Sequence, residues 1–161
     1  MVTVAAVLVF VGFRALTSEK PTTPVRAVDY LEVAAGARAE NELRVLAPDR
    51  LPVGWRATSA TYDRGPSPAW HLGLLTEDSR YVGVEESRSA PEALVEEHVD
   101  PDAVEDGPVR IAGQRWQGWR DAGGDYAVVT RIPGPGGAET LLVVGSGPRD
   151  DVRELAASLL E

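Results

Sequence analysis

The sequence predicts an α+β domain, a mainly antiparallel sheet of six to eight strands with helices mostly on one face, preceded by an N-terminal apolar helix. Three observations carry that prediction. Residues 51–87 read LPVGWRATSATY, AWHLGLLT and YVGVEES, three alternating runs separated by the turn-rich breaks DRGPSP and EDSR, which is the pattern of an antiparallel meander. Four more short runs follow at 109–112, 115–120, 126–132 and 140–145, punctuated by Gly113, the Gly123 and Gly124 pair and PGPGG. The chain then closes on Val152, Leu155, Ala156 and Leu159 at helical spacing, behind Pro148, Asp150 and Asp151.

Taken in order, residues 1–16 (MVTVAAVLVFVGFRAL) are apolar apart from Thr3, Gly12 and Arg14. As a helix this run is about 24 Å long, short of the roughly 20 residues that span a bilayer. It reads as a transmembrane or signal anchor truncated at its start. A cleavable signal peptide would need a basic leader and a small-residue cleavage site, and a buried soluble helix would have to be apolar nearly all round. Residues 17–28, with two prolines and many polar side chains, form a linker. Residues 29–161 form one domain.

That domain opens on a helix. Asp29 and Glu32 have capping-box spacing, Val28 is placed as a staple, and Tyr30, Val33, Ala34 and Ala37 make an apolar stripe ending near Asn41. Residues 43–46 fit a short edge strand stopped by Pro48. In the meander, alternation puts Trp70, Leu72 and Leu74 on a core face and His71, Gly73 and Leu75 on a second, partly polar face. Ser89 and Glu92 suggest another capping box, with Pro91 in the first turn of a helix to about Val99. DPDAVEDGP reads as an acidic loop. LLVVG is apolar on both faces, which places it centrally in the sheet, and the closing helix is expected on the core face.

Composition excludes several chemistries. There is no cysteine, hence no disulfide, thiolate metal site, cysteine nucleophile or lipidated cysteine. The net charge is −9; Arg14, Lys20 and Arg26 against Glu19 leave the body more acidic still, which argues against nucleic acid as a partner. No cofactor motif is present.

With LPVGWRATSATY, WHLGLLT, YVGVEES, GQRWQGW and the VVGSG-to-LAASLL ending in this order, the chain resembles an actinobacterial family of unknown function, domain-of-unknown-function family 4245, from about Asp29 to Leu160. The resemblance implies a single-pass membrane protein with a small extracytoplasmic domain and supplies no catalytic residues. A looser likeness, in the LP-x-G-aromatic opening and the strand-then-helix ending, is to extracytoplasmic modules of single-pass anti-sigma regulators. Positive-inside counting on the chain as written would instead hold the body in the cytoplasm, because every nearby Lys or Arg follows the apolar run. A basic leader upstream of Met1 would reconcile the two, and we adopt the extracytoplasmic placement.

Two residues are singled out as ligand or partner contacts. His71 lies mid-strand on the second face. Trp116 and Trp119, three apart on one strand, must point to opposite faces, so one is core and the other, Trp119, is left for the outer face. His98, near a helix C-terminus, and the acidic run 96–106, which lacks calcium-loop spacing, read as structural; so does Ser146 in VGSGP, which lacks a nucleophile elbow. No metal ligand set is recognised. The functional expectation is a non-catalytic binding or assembly module with membrane lipid around its N-terminal helix and an envelope protein as partner. The competing readings are a small hydrolase using His71 with an acidic partner and an envelope-sensing regulator, which would expect an effector segment ahead of the apolar run. A cleft holding His71 within hydrogen-bond reach of a carboxylate and an exposed Ser or Thr is the feature that would favour catalysis, and a flat or shallow polar face would favour binding.

Overall fold

Seven alternating strands leave two sheet faces to cover, and three helices cover them unequally. In the computed structural model, which describes residues 27–160, the elements run α1 (Tyr30–Ala39), β1 (Arg56–Asp63), β2 (Ala69–Leu75), β3 (Tyr81–Ser87), α2 (Pro91–His98), β4 (Val104–Ile111), β5 (Gln114–Arg120), β6 (Tyr126–Gly134), β7 (Gly137–Gly145) and α3 (Arg149–Ser158). The strands form one antiparallel sheet in the order β1-β2-β3-β7-β6-β5-β4. LLVVG therefore lies in the central strand. Its Leu141 and Val143 join one apolar cluster and its Leu142 and Val144 the other, as a strand apolar on both faces requires.

The larger cluster is the expected core face. Trp70, Leu72, Leu74, Val82 and Val84 are fully buried there beneath α1 and α3, with Val152, Leu155 and Ala156 of α3 and Leu159 at its C-cap all facing inward. Each such leucine or valine contributes roughly 1.5–3 kcal/mol through burial. Trp116 is in this core. The second face is covered only in its middle, where Leu94 and Val95 of α2 pack on Ala127, Val129, Leu142 and Val144. Its outer parts stay open.

The start of α1 forms as expected, with the Glu32 N–H donating to Asp29 Oδ1 at 3.2 Å and Val28 packed on the core. The Val28 N–H also donates to the Ala57 carbonyl at 3.0 Å, which ties the domain's entry to the edge strand β1. The anchor expected at 1–16 and the linker up to residue 26 lie outside the described residues. Among the described residues no helix is long and apolar enough to cross a membrane.

Four local expectations are corrected. Residues 43–46 are not a strand, because their N–H groups go to buried carboxylates: Val45 and Leu46 donate to Glu86 at 2.7 and 2.8 Å, and Arg44 to Glu139 at 3.1 Å. The first meander run becomes regular only at Arg56, since Leu51 to Trp55 is taken up by a turn in which the Trp55 N–H donates to the Pro52 carbonyl and Gly54 has φ +82°. Ser89 caps nothing with its side chain. The N-cap of α2 is Ala90, and the Ser89 carbonyl instead accepts from Arg131 and Thr140. Finally, the acidic loop ends at Ala103. Val104 begins an edge strand whose ladder is broken at Asp106 and whose Gly107 has φ +87°, so charge and a bulge hide it from an alternation argument.

Candidate functional site

The open part of the second face holds a polar array built from three adjacent strands. On β2, His71 points away from the core, and on β3 the register sets Glu85 directly opposite it. His71 Nδ1 and Glu85 Oε1 are 2.6 Å apart. An ionised carboxylate only accepts, so Nδ1 carries the proton and donates. Glu85 is 6% exposed, and its hydrogen bond to the ring raises the His71 pKa more than burial lowers it. The other ring nitrogen, Nε2, lies 2.8 Å from Ser59 Oγ on β1. In the neutral ring that nitrogen is an acceptor, so Ser59 donates to it.

Local structure explains how Ser59 arrives there. The β1–β2 register shifts between Ala57 and Ser59, a bulge at Thr58 that turns Ala57 into the core while Ser59 faces outward opposite Gly73. A Cβ on Gly73 would overlap Ser59 Oγ, and one on Gly83 would overlap the Tyr81 hydroxyl. Gly73 and Gly83 are paired across β2 and β3. Together they form a flat shelf over which Ser59 and Tyr81 lie. Burial and the nearby Glu85 push the Tyr81 phenol up to about 12, so it stays neutral and can donate.

A cleft of about 750 Å³ opens over the His71, Tyr81 and Glu85 part of this array, with Ser59 beside it and not in its lining. His71, Tyr81 and Glu85 line its floor, the β1–β2 turn with Pro66 and Ser67 one wall, and Glu97 and His98 of α2 another. His98 Nδ1 is 3.9 Å from the same Glu85 oxygen, so one carboxylate faces two imidazoles. The helix end that sequence reading left as structural thus borders the cleft. Among the described residues no group of three His, Asp or Glu side chains is arranged to hold a metal ion.

Trp119 is on the outer face but not in this cleft. It packs half-buried against the second cluster and lines a separate hollow of about 310 Å³ with Pro91, Arg115 and Arg131. The two residues singled out from sequence are therefore not brought together; α2 borders the cleft with its last turn and the hollow with its first. Ser146 serves the sheet end, where its hydroxyl accepts from the Tyr81 N–H at 3.3 Å.

Sequence reasoning missed Ser59, Glu85 and Tyr81. Glu85 was within reach of a register argument, but EDSR suggests a four-residue turn, which would set His71 opposite Glu86. The turn is one residue longer: Leu75 pairs with Tyr81, Thr76 N–H donates to the Arg80 carbonyl at 2.9 Å, and Ser79 has φ +59°. The requirement that Val82 and Val84 face the core would have selected Glu85 over Glu86. Nothing in the sequence marks the Thr58 bulge that places Ser59.

Sheet, helices and cleft define an α+β domain built on a single antiparallel sheet, with one closed face and one face carrying a polar site. The chain belongs to the family described as Protein of unknown function (DUF4245), whose model matches residues 1–159. No curated protein matches it. Two solved structures show partial similarity. One is the Pseudomonas aeruginosa MucA/MucB complex, at 18% identity over 68% of this chain and 32% of that chain, with a TM-score of 0.41. The other is MucB in complex with MucA(peri), at 18% identity over 70% and 34%, with a TM-score of 0.42. The chain spans about a third of the length of the chains it matches there.

Proposed function

We propose that this chain is a membrane-anchored, extracytoplasmic binding module whose ligand or envelope protein partner seats in the cleft over His71. The observation that carries the reading is the cleft itself. A concave space of about 750 Å³ with a fixed polar floor is what a recognition site needs, and the opposite face of the sheet is closed by α1 and α3. The His71 ring is held from both sides, by Ser59 and Glu85, so a ligand meets a preorganised donor–acceptor pattern and loses little free energy in ordering it. Anchoring and placement outside the membrane rest on the apolar run at 1–16 and on the family resemblance.

Site-specific photo-crosslinking in the native membrane tests this. A photoreactive side chain placed at Thr61 or Glu97, both exposed at the cleft rim, should give a discrete crosslinked product, and one at Glu154 on the exposed side of α3 should not. Products of equal yield from all three positions, or none from the rim, would remove the cleft as the binding site.

A further inference from the structure

We propose that Ser59, His71 and Glu85 form a nucleophilic triad that hydrolyses a small carboxylic ester held at the His71 end of the cleft, which His71, Glu85 and Tyr81 line and which Ser59 adjoins through its hydrogen bond to His71, with the Tyr81 hydroxyl donating to the carbonyl oxygen. The inference rests on the cleft being a ligand site and goes beyond it, from holding a ligand to acting on it. Three roles are filled by geometry. Ser59 Oγ at 2.8 Å from His71 Nε2 is a nucleophile within reach of a base, and Glu85 Oε1 at 2.6 Å from Nδ1 holds the ring in the tautomer that leaves Nε2 free to accept. The side-chain donor beside the array is the Tyr81 hydroxyl. Tyr81 lies beside the array across the Gly73 and Gly83 shelf, and among the described residues its hydroxyl has no hydrogen-bond partner.

The reaction balances without a further reagent. Oγ attacks the acyl carbon while Nε2 takes the Oγ proton; the ester C–O bond breaks, and Nε2 returns that proton to the departing alkoxide. Water then attacks the acyl-Ser59 ester, giving its proton to Nε2, and the proton passes to Oγ as the carboxylic acid leaves. Ester and water become acid and alcohol. Glu85 touches only the imidazole and is a positioning residue.

The full chain in detergent micelles, treated with a fluorophosphonate reagent, should carry one adduct, located on Ser59 by peptide mass spectrometry. His71→Gln should slow that labelling by about a hundredfold or more, and Tyr81→Phe should lower hydrolysis of p-nitrophenyl acetate by roughly a hundredfold. Glu85→Gln should move the midpoint of the pH–rate profile downward, because the hydrogen bond that raises the His71 pKa is weakened; a merely structural Glu85 would leave that midpoint in place. An unlabelled Ser59 in the wild-type chain overturns the triad without recourse to any variant, as does labelling indifferent to His71→Gln in protein that melts normally. If rim crosslinking persists while Ser59 stays unlabelled, the binding reading stands and this one falls. Loss of both removes the site altogether.

Discussion

Replacing Glu139 by Gln should make the domain's stability less sensitive to pH, and the buried carboxyl pair shows why. Glu86 and Glu139 are 1% and 0% exposed, both on the core side of the sheet. Glu86 accepts from the Val45 and Leu46 N–H groups, and Glu139 Oε2 from that of Arg44. Glu139 Oε1 is buried and finds no donor among the described residues. A proton on Glu86, whose side chain faces Glu139, would supply it. Burial first, and Glu139 with it, raise the Glu86 pKa from 4.5 to about 7 against the pull of its two backbone N–H groups. The sign follows from linkage: the folded chain holds this proton more tightly than the unfolded chain, so the stabilisation is complete below pH 4.5 and is lost as pH rises through 7. That shift corresponds to about 3 kcal/mol, or a fall in Tm of roughly 10 °C between pH 4.5 and pH 8 for a domain of this size. In Glu139→Gln the amide oxygen can still accept from Arg44 while the NH2 group donates to Glu86, which removes the like charge and the need for that proton. Burial still favours the neutral Glu86, so the Tm fall should shrink without vanishing. His71 and Asp125, whose pKa values are also raised, slope the same way in both proteins and cancel in the comparison. Thermal melts by circular dichroism across that pH range decide it. An unchanged slope in the variant would show that the two carboxyls are not coupled.

Other outcomes follow from the two faces of the sheet. Leu72→Ala should cost about 2–5 kcal/mol in denaturant unfolding, since Leu72 is 0% exposed, whereas His71→Ala should cost about 1–3 kcal/mol by leaving Glu85 without its donor; a larger loss for His71→Ala than for Leu72→Ala would mean that the second face, not the first, carries the core. Gly145→Ala should cost about 1–3 kcal/mol, because its Cβ would stand 2.8 Å from Val152 Cγ2 and 3.1 Å from the Tyr81 carbonyl oxygen, pushing α3 off β7; an unchanged midpoint would show that α3 yields freely. A chain begun near Val25 should melt in one cooperative transition with an unaltered midpoint, and an aggregated product would move the domain boundary upstream. Protease added to intact spheroplasts should release the body at the PTTP segment, whereas a body protected until the membrane is permeabilised would place it in the cytoplasm.

What the sequence determined by itself is periodic and local. Period-2 alternation separated Trp70, Leu72 and Leu74 from His71, and Trp116 from Trp119, because successive side chains on a strand must point to opposite faces whatever the strand pairs with. The double-faced LLVVG run could only be central, and the 3.6-residue spacing from Val152 to Leu159 defined the buried side of α3. The tertiary structure decided everything that depends on which strands meet and in what register. One extra turn residue fixes Glu85 rather than Glu86 opposite His71, and a bulge at Thr58 delivers Ser59 to the same face. Residues 43–46 have a strand's apolarity, yet they lie on carboxylates contributed by residues 40 to 95 positions later. Glu86 sits on the core face by parity, but parity cannot show that a buried carboxylate there is satisfied by those distant N–H groups. Hydrophobic patterning assigns faces from one strand at a time; hydrogen-bond partners and the coupling of buried carboxyls belong to pairs of groups that only the folded chain brings together.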